Sequence, residues 1–183
     1  RKITQWVVKI AKLCNLRCTY CYEFESLADP TRMQSEQLAV LFRNVAEYSA
    51  AHDRKSEFVW HGGEPLLVPA GYFDEIFELQ QKAFDEAGAE CSNSVQTNLY
   101  KLRNDTFDLL RRFDMVGVSI DLFSDMRVTA NGEQAQKRVL ANMDRLQEEG
   151  IKFGCITVLT PKVAEHIEAV FDFYASLGVS FRL

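Results

Sequence analysis

The sequence has few residues that break regular structure, and it lacks a long apolar run. Its 183 residues include only 4 Pro and 9 Gly, while 47% are hydrophobic and 26% are charged. This balance excludes disordered and fibrous proteins, and it suits one domain, or a fragment of one, with a sizeable core. No stretch approaches the roughly 20 apolar residues that a transmembrane helix needs, and no secretory signal pattern opens the chain. We therefore expect no membrane partner.

Positive charge and cysteine are also scarce. The chain has 21 Lys and Arg against 26 Asp and Glu, a net charge of −5, so nucleic acid is not an expected partner. The 5 cysteines are an odd number, which is a poor basis for a disulfide framework. Cys91 and Cys155 stand alone in strand-like segments and are most simply buried apolar residues. Cys14, Cys18 and Cys21 lie together and predict a metal site in a reducing compartment.

The apolar pattern alternates between strand-like and helix-like segments along the whole chain. Ser35 is the predicted N-cap of the first helix, and Pro161 starts a last helix that stops at Gly178. Alternation of this kind builds a parallel sheet with right-handed crossovers, either as an open doubly wound sheet or as a partly closed β/α barrel. In both architectures, chemistry takes place beyond the carboxyl ends of the strands. Strands are predicted near residues 3–10, 58–60, 91–97, 115–121, 153–159 and 179–183.

The strongest motif is Cys14-Asn-Leu-Arg-Cys18-Thr-Tyr-Cys21, directly after the first strand. Three thiolates on one loop can bind three irons of a four-iron, four-sulfur cube and leave the remaining iron open. An open iron lets a cluster bind a ligand as well as carry electrons. The alternative is a structural zinc loop with a histidine or a distant thiol as a further ligand, although the paired Cys-x-x-Cys elements typical of such sites are missing.

The spacing Cys-x-x-x-Cys-x-aromatic-Cys after a first strand resembles the radical S-adenosylmethionine superfamily. In that family the open iron binds the amino and carboxylate groups of S-adenosylmethionine, and the reduced cluster cleaves it to a 5′-deoxyadenosyl radical that abstracts a substrate hydrogen. The resemblance implies a 4Fe-4S cluster held by Cys14, Cys18 and Cys21, with S-adenosylmethionine as cosubstrate. It also implies the fold: an α/β partial (β/α)6 TIM-like barrel that ends at the sixth strand.

Gly62-Gly63-Glu64-Pro65, at the end of the second strand, looks like the family's glycine-glycine-glutamate-proline motif. Glycines let a backbone approach a ligand closely, and a carboxylate can accept hydrogen bonds from an ammonium group. In the family this segment holds the methionine amino group. The resemblance therefore places Gly62, Gly63 and Glu64 in the cosubstrate site, and an ordinary turn before a helix is the alternative.

Two polar segments at the next strand ends are similar to elements of the same family. Gln96-Thr-Asn98 resembles a Thr-Asn element near the cofactor, which assigns Asn98 to cofactor binding. Ser119-Ile-Asp121 is similar to the Ser-x-Asp of the subgroup that modifies peptides and proteins. The resemblance implies that Ser119 contacts the ribose or the methionine carboxylate, and that Asp121 lies by the substrate or sugar as the catalytic side chain. Alternatively, both residues simply cap the loop.

Three further residues complete the resemblance. Tyr20, the aromatic residue before the last cysteine, takes the position whose counterpart packs near adenine in the family. Arg127 matches an arginine that pairs with the methionine carboxylate, although the usual Asp-Gly-Pro before it is missing, and a surface arginine is the alternative. His61, directly before the glycine pair, is either a polar neighbour of the cofactor or a hydrogen-bonded structural histidine.

The resemblance implies a function: a peptide- or protein-modifying radical enzyme of the SPASM type, in which residues 1–183 form the radical core. We expect the chain to be truncated before a C-terminal SPASM-type domain that carries auxiliary clusters. The expected reaction installs a cyclophane or thioether crosslink in a ribosomally made precursor peptide. The alternatives are oxidation of a Cys or Ser side chain on a sulfatase, or small-molecule or cofactor biosynthesis. The expected partners are the peptide and a flavodoxin- or ferredoxin-like electron donor, and cluster chemistry implies a cytoplasmic location.

Overall fold

The fold is an open sheet of six parallel strands, paired in the order in which they occur along the chain. It is seen in a computed structural model of the protein, which describes residues 2–69 and 71–183. Each strand pairs in parallel with the next, so helices must return the chain to the starting end of the sheet. The strands are β1 (Lys2–Ala11), β2 (Arg54–Gly62), β3 (Glu90–Thr97), β4 (Met115–Ser119), β5 (Phe153–Ile156) and β6 (Ser180–Arg182).

Helices fill the connections between successive strands. Between β5 and β6 there are two, and the other connections hold one each, with short 3₁₀ turns at Phe24–Ser26 and Pro65–Leu67. Within the described residues, β1 and β6 each pair on one side only, so the sheet does not close. The prediction of a partial six-stranded barrel is confirmed. The helices are α1 (Ser35–Ala51), α2 (Tyr72–Ala87), α3 (Thr106–Leu110), α4 (Gln136–Glu148), α5 (Pro161–Ala164) and α6 (Ile167–Leu177).

The core lies between the sheet and the helices that cover its outer face. Alternate side chains of β2, among them Phe58 and Trp60, are completely buried and pack edge-on against Phe42 of α1. Strands whose buried residues alternate in this way turn their other residues toward the opposite face of the sheet. On β2 this opposite face carries Lys55, Glu57 and His61, all of them partly exposed.

The helix boundaries depart from the sequence prediction at two places. The N-cap of α1 is Gln34 and not Ser35, because Gln34 and Gln37 exchange side-chain to backbone hydrogen bonds in a capping box. The predicted last helix is interrupted at His166, where the backbone leaves the helical region (φ −116°, ψ 22°) and the imidazole ring packs against Phe123. In α6, Phe171 is 57% exposed.

In residues 2–69 and 71–183, no helix combines the length and the apolar composition that crossing a bilayer requires.

Candidate functional site

Polar side chains gather at the end of the sheet where the strands terminate. We call this end the mouth, and it is formed by residues 12–34, 63–69, 98–105, 120–135 and 157–160, which follow β1 to β5. The cysteine loop, residues 12–22, is its first segment. Parallel strands bring all these segments to one edge of the sheet, where ligands of α/β proteins bind. The predicted site residues all fall at this edge, either on these segments or at the ends of β2 and β4.

The glycine pair at the end of β2 packs directly on the backbone of the cysteine loop. A Cβ on Gly63 would lie 2.1 Å from the carbonyl oxygen of Lys12, and one on Gly62 would lie 2.3 Å from that of Ala11. Gly62 also has a φ of +150°, which residues other than glycine rarely adopt. The Gly63 N–H donates to the Ala11 carbonyl at 2.9 Å. The close approach that glycine permits here is therefore an approach to the chain's own backbone.

Glu64 is a buried carboxylate that joins the ends of β2 and β3. It is 2% exposed, and its Oε1 accepts hydrogen bonds from the Thr97 hydroxyl at 2.7 Å and from the Leu66 N–H at 3.0 Å. Its Oε2 accepts the backbone N–H of Asn98 at 2.7 Å. A carboxylate has about four acceptor positions, so Oε2 retains one. Burial raises the pKa of Glu64, and these neutral donors and the more distant positive charge of Arg127 only partly oppose it.

Asn98 continues this network from the end of β3 to the cysteine loop. Its side-chain Nδ2 lies 2.9 Å from Asn15 Oδ1 and 3.6 Å from Cys14 Sγ, and its Oδ1 accepts the N–H of Tyr100. The N–H of Leu16 also points at the Cys14 sulfur, at 3.5 Å. Hydrogen-bond donors around a thiolate are the environment that a cluster ligand needs. The structure therefore places Asn98 against the cysteine loop.

The three thiols of the loop are free and partly buried. Burial raises the pKa of Cys14 to about 11 and that of Cys18 as well, the latter opposed by the nearby positive charge of Arg127. Binding iron must therefore displace protons from these thiols. Within residues 2–69 and 71–183, no three His, Cys, Asp or Glu side chains are gathered as a single metal ion needs. A four-iron cluster makes a different demand, because each thiolate binds a separate iron.

A fit between the loop and a cluster is visible in one buried atom. Asn15 Nδ2 is a buried donor without a hydrogen-bond partner, inside the loop that carries the thiols. An unpaired buried donor costs about 1–3 kcal/mol. Free thiols, N–H groups aimed at sulfur and an unpaired donor are together the chemistry that an anionic iron–sulfur group satisfies. We conclude that the residues present fit such a group.

Asp121 is the second buried carboxylate of the mouth, and it binds donors from three segments. The side chain is 0% exposed, and its Oδ1 accepts the N–H of Val158 at 2.8 Å. Its Oδ2 accepts the Tyr20 hydroxyl at 2.5 Å and Nε of Arg127 at 2.7 Å. Asp121 thus joins the cysteine loop to the segments that follow β4 and β5. All of these bonds lie within the chain, and the catalytic role assigned to Asp121 from the sequence stays a prediction.

Arg127 is buried beside Asp121, with 12% of its side chain exposed, so the alternative of a surface arginine is wrong. Burial alone lowers the pKa of an arginine, but Asp121, Tyr20 and Cys18 together outweigh this and the pKa of Arg127 is raised. Its guanidinium carbon lies 5.6 Å from the centre of the Tyr20 ring. Only Nε hydrogen-bonds within the described residues, which leaves both terminal amino groups of this fixed cation available to an anion.

The segment that carries Arg127 is also paired with the cysteine loop through its backbone. The Arg17 N–H donates to the Val128 carbonyl at 2.6 Å, and the Thr19 N–H donates to the Met126 carbonyl at 2.9 Å. Two-point pairing of this kind fixes the height of the loop above the sheet. The position of the thiols therefore depends on the segment after β4 as well as on the one after β2.

Ser119 lies at the end of β4 and faces the end of β3. Its hydroxyl oxygen accepts a hydrogen bond from Gln96 Nε2 at 2.6 Å, which leaves its own proton free to donate. Gly117 makes room for this pair, because a Cβ there would lie 2.1 Å from Gln96 Oε1. Sequence reasoning quoted Gln96 without giving it a role. A glycine two residues before a serine in the neighbouring strand is the signal that could have found it.

His61 is half-buried on β2, and its register partner on β1 is Lys9. Within the described part of the chain its ring makes no hydrogen bond, so the expectation of a hydrogen-bonded structural histidine is wrong. Burial lowers the pKa of His61, and the nearby charge of Lys9 acts in the same direction. Lys9 in turn hydrogen-bonds to Glu23, which follows the cysteine loop. The imidazole is therefore a neutral polar group with free nitrogens near the mouth.

Comparison with known proteins identifies the family. Residues 8–174 match the family described as the Radical SAM superfamily. The chain belongs to this superfamily. Radical SAM enzymes use a 4Fe-4S cluster and S-adenosylmethionine, so the predicted cofactors and the prediction of an enzyme are confirmed.

Three similar proteins modify other proteins or peptides or have been solved with bound ligands, according to their names. The chain is 28% identical over 177 residues to the serine-type anaerobic sulfatase-maturating enzyme of Klebsiella aerogenes, covering 94% of this chain and 44% of that protein. It matches a structure of anSMEcpe with bound AdoMet with a TM-score of 0.82 and 25% identity, over 98% of this chain and 50% of the other. Streptococcus suis SuiB bound to precursor peptide SuiA shares the fold, with a TM-score of 0.62, 17% identity, and coverage of 98% and 38%. The chain thus spans half or less of the length of these relatives.

Proposed function

We propose that Cys14, Cys18 and Cys21 hold the 4Fe-4S cluster and that the mouth seats S-adenosylmethionine beside it for hydrogen abstraction from a peptide. The observation that carries the proposal is the buried network that joins Cys14 to Glu64 through Asn98, at the junction of β1, β2 and β3. When bound and reduced, the cluster supplies the electron that cleaves S-adenosylmethionine to methionine and a 5′-deoxyadenosyl radical. The protein's own residues orient the reactants and exclude water.

Three side chains are suited to the methionine part of the cosubstrate. Arg127, held by Asp121, presents two free terminal amino groups to a carboxylate, the geometry in which arginine binds such groups best. Glu64 Oε2 has one acceptor position left, and an ammonium group there would offset the unfavourable burial of its charge. Gly62 and Gly63 support this seat by fixing Glu64 against the cysteine loop. The amino and carboxylate groups would thus be held from opposite sides of the mouth.

Two residues are suited to the nucleoside part. Ser119 has a free hydroxyl proton at the end of β4 and is oriented by Gln96, which suits a contact with a ribose hydroxyl. Tyr20 presents its ring on the cysteine loop while its hydroxyl is fixed by Asp121. Burial raises the pKa of Tyr20, so the side chain is a neutral aromatic surface of the kind that stacks on a base. Asp121 serves this arrangement by fixing both Tyr20 and Arg127.

The first candidate for the overall reaction is formation of a crosslink, a cyclophane or a thioether, in a ribosomally made peptide. His61 before the glycine pair resembles the sequence context of such maturases, and SuiB, bound to a precursor peptide, has this fold. In such a reaction one hydrogen atom is abstracted by the radical, the bond forms, and a proton and an electron leave.

The second candidate is oxidation of a Ser or Cys side chain on a sulfatase. The identity of 28% with a serine-type sulfatase-maturating enzyme, over nearly the whole chain, favours it. In both reactions the departing electron needs an acceptor and the cluster needs a donor. We include in the proposal a flavodoxin- or ferredoxin-like electron donor and a cytoplasmic location, as cluster chemistry requires reducing conditions.

The test is electron paramagnetic resonance on the anaerobically reconstituted, dithionite-reduced full-length protein, with and without S-adenosylmethionine. We expect a reduced four-iron signal that shifts when S-adenosylmethionine binds to the open iron. In the variant with Cys14, Cys18 and Cys21 replaced by Ala, the four-iron signal that responds to S-adenosylmethionine and 5′-deoxyadenosine formation should both vanish, whereas Cys91→Ala should retain them. Cleavage activity that survives the triple replacement would refute the assignment of the loop.

Mass spectrometry of candidate substrates separates the two reactions. A crosslinked peptide resists fragmentation between the joined residues and does not react with a hydrazide probe. An oxidised Ser or Cys side chain becomes an aldehyde, fragments normally and forms a hydrazone. A small-molecule substrate with no change in either peptide would contradict the peptide-modifying proposal while leaving the cofactor site intact.

A further inference from the structure

Two asparagine side chains form an amide pair beside Cys14. Asn98, after β3, donates from Nδ2 to Oδ1 of Asn15 at 2.9 Å, and the same Nδ2 lies 3.6 Å from the Cys14 sulfur. Asn15 follows Cys14 directly in the cysteine loop. Sequence reasoning gave Asn15 no role, because a polar residue between two cysteines carries no pattern of its own.

The orientation of both amides is fixed by the backbone. The N–H of Tyr100 donates to Oδ1 of Asn98 at 2.9 Å, so the Nδ2 of Asn98 must face the cysteine loop. Asn15 must then present its oxygen to Asn98, because two amide nitrogens cannot face each other as donors. Rotating the Asn15 amide by half a turn would break this bond. Its Nδ2 is therefore directed away from Asn98 by the geometry of the pair.

The Nδ2 of Asn15 is a buried donor that has no partner. In the described residues only one other side-chain polar atom is in this state, the hydroxyl oxygen of Thr4 on β1. Leaving a buried donor unpaired costs about 1–3 kcal/mol. The Nδ2 of Asn15 is thus held in one direction and left unpaired. Such a donor is suited to an acceptor that the protein chain itself does not supply.

We propose that Asn15 Nδ2 donates a hydrogen bond to a sulfur atom of the iron–sulfur cluster, with Asn98 as the positioning residue that fixes the direction of the donor. This inference deepens the proposed function and rests on it. The other polar hydrogens around Cys14 already point at sulfur, namely the Leu16 N–H at 3.5 Å and the Asn98 amide at 3.6 Å from Sγ. The hydrogen-bond donors around Cys14 are therefore already directed at sulfur, and we infer the same kind of acceptor for Asn15.

The consequence concerns the reduction potential of the cluster. A hydrogen bond to a cluster sulfur stabilises added negative charge, so it favours the reduced state and raises the potential. An amide does this without a net charge, and its strength does not change with pH. Asn15 would therefore make the cluster easier to reduce.

The experiment is a potentiometric titration of the reconstituted full-length protein, monitored by electron paramagnetic resonance, for wild type, Asn15→Leu and Asn44→Leu. Leucine has nearly the shape of asparagine but cannot donate. Asn44 is exposed on α1 and supplies the matched control. We expect a more negative midpoint potential in Asn15→Leu and an unchanged one in Asn44→Leu. An unchanged potential in Asn15→Leu would overturn the inference. If binding of S-adenosylmethionine weakened while the potential stayed the same, the acceptor would be the cosubstrate and not the cluster.

A measurement on the wild-type protein keeps the inference testable if Asn15→Leu does not retain a cluster. Pulsed paramagnetic resonance on reduced protein labelled with ¹⁵N-asparagine should detect a nitrogen coupled to the cluster. The coupling should persist without S-adenosylmethionine. Its absence in a protein with an intact four-iron signal would refute the hydrogen bond, whereas loss of the four-iron signal itself in the wild type would refute the proposed function.

Discussion

Glu64 and Asp121 are both buried carboxylates at the mouth, yet their partners differ in charge. Glu64 is bound by two backbone N–H groups and a hydroxyl, all neutral. Asp121 has a comparable number of donors, but one of them is the guanidinium of Arg127. Burial raises the pKa of Glu64, and the positive charge of Arg127 only partly opposes this because Arg127 makes its ion pair with Asp121.

The difference indicates separate roles for the two sides of the mouth. Asp121 has a cationic partner in Arg127, and its hydrogen bonds join three segments of the chain. The segment that carries Glu64 is packed onto the cysteine loop by its glycines, but no cationic side chain of the described residues hydrogen-bonds to the carboxylate. A cationic ligand group therefore has more to offer at Glu64, and an anionic one at the free end of Arg127.

The largest expected effect is that of removing the charge of Asp121. Asp121→Asn leaves Arg127 buried without its counter-ion, and breaking a buried pair in this way costs about 3 kcal/mol or more. Urea unfolding of the cluster-free protein under anaerobic conditions measures it. The matched control is Asp125→Asn, because Asp125 pairs with Lys162 at the surface and its side chain is 75% exposed. Equal stability losses in the two variants would show that the Asp121 side is not held by its charge.

The second largest effect concerns the close packing of Gly63 on the backbone of the cysteine loop. Gly63→Ala brings a Cβ within 2.1 Å of a backbone oxygen, and Gly117→Ala brings one equally close to the movable end of Gln96. Backbone cannot yield as a side chain can, so we expect Gly63→Ala to cost about 1–3 kcal/mol and Gly117→Ala distinctly less. Gly117→Ala should instead weaken cosubstrate binding by displacing Gln96 from Ser119. The same unfolding assay and isothermal titration with S-adenosylmethionine check both statements, which fail if the order is reversed.

The smallest effect is the pH dependence that Glu64 adds to stability. Because its pKa is raised in the folded protein, the folded state binds a proton more readily than the unfolded state above about pH 4.3. The free energy of unfolding should therefore fall as the pH rises from there through the folded-state pKa, and then level off. Glu64→Gln should lack this component, so the wild-type minus variant difference should decrease over the same interval. A difference that grows with pH would contradict the raised pKa of Glu64.

The order of the strands and most helix starts and stops follow from local patterns in the sequence. Apolar residues recur at alternate positions in β2, and Gly88 and Gly178 end α2 and α6 in the left-handed conformation that glycine favours. The break at His166 could not be predicted, because residues 161–177 keep a helical apolar pattern through it. Packing of the His166 ring on Phe123, a distant residue in sequence, accompanies the break.

The candidate site was predictable as a set of residues but not as a network. Each of its motifs follows a strand, so parallel topology alone brings them to one edge of the sheet. The bond between Glu64 and the end of β3, and the burial of Arg127 beside Asp121 and Tyr20, depend on contacts between segments that are far apart in the sequence. No spacing of residues encodes such contacts. Asn15 is the clearest example. The feature that distinguishes it, a buried Nδ2 without a hydrogen-bond partner, can be seen only in the structure.

By itself the sequence determined the cysteine loop, the glycine-glutamate turn and the alternation that builds a parallel sheet, since all three are encoded over a few neighbouring residues. Only the tertiary structure decided which carboxylate has a counter-ion and which donor stays unpaired. The physical reason is that charge compensation and hydrogen-bond satisfaction are properties of a buried neighbourhood. That neighbourhood exists only when segments following β1 to β5 meet at the mouth.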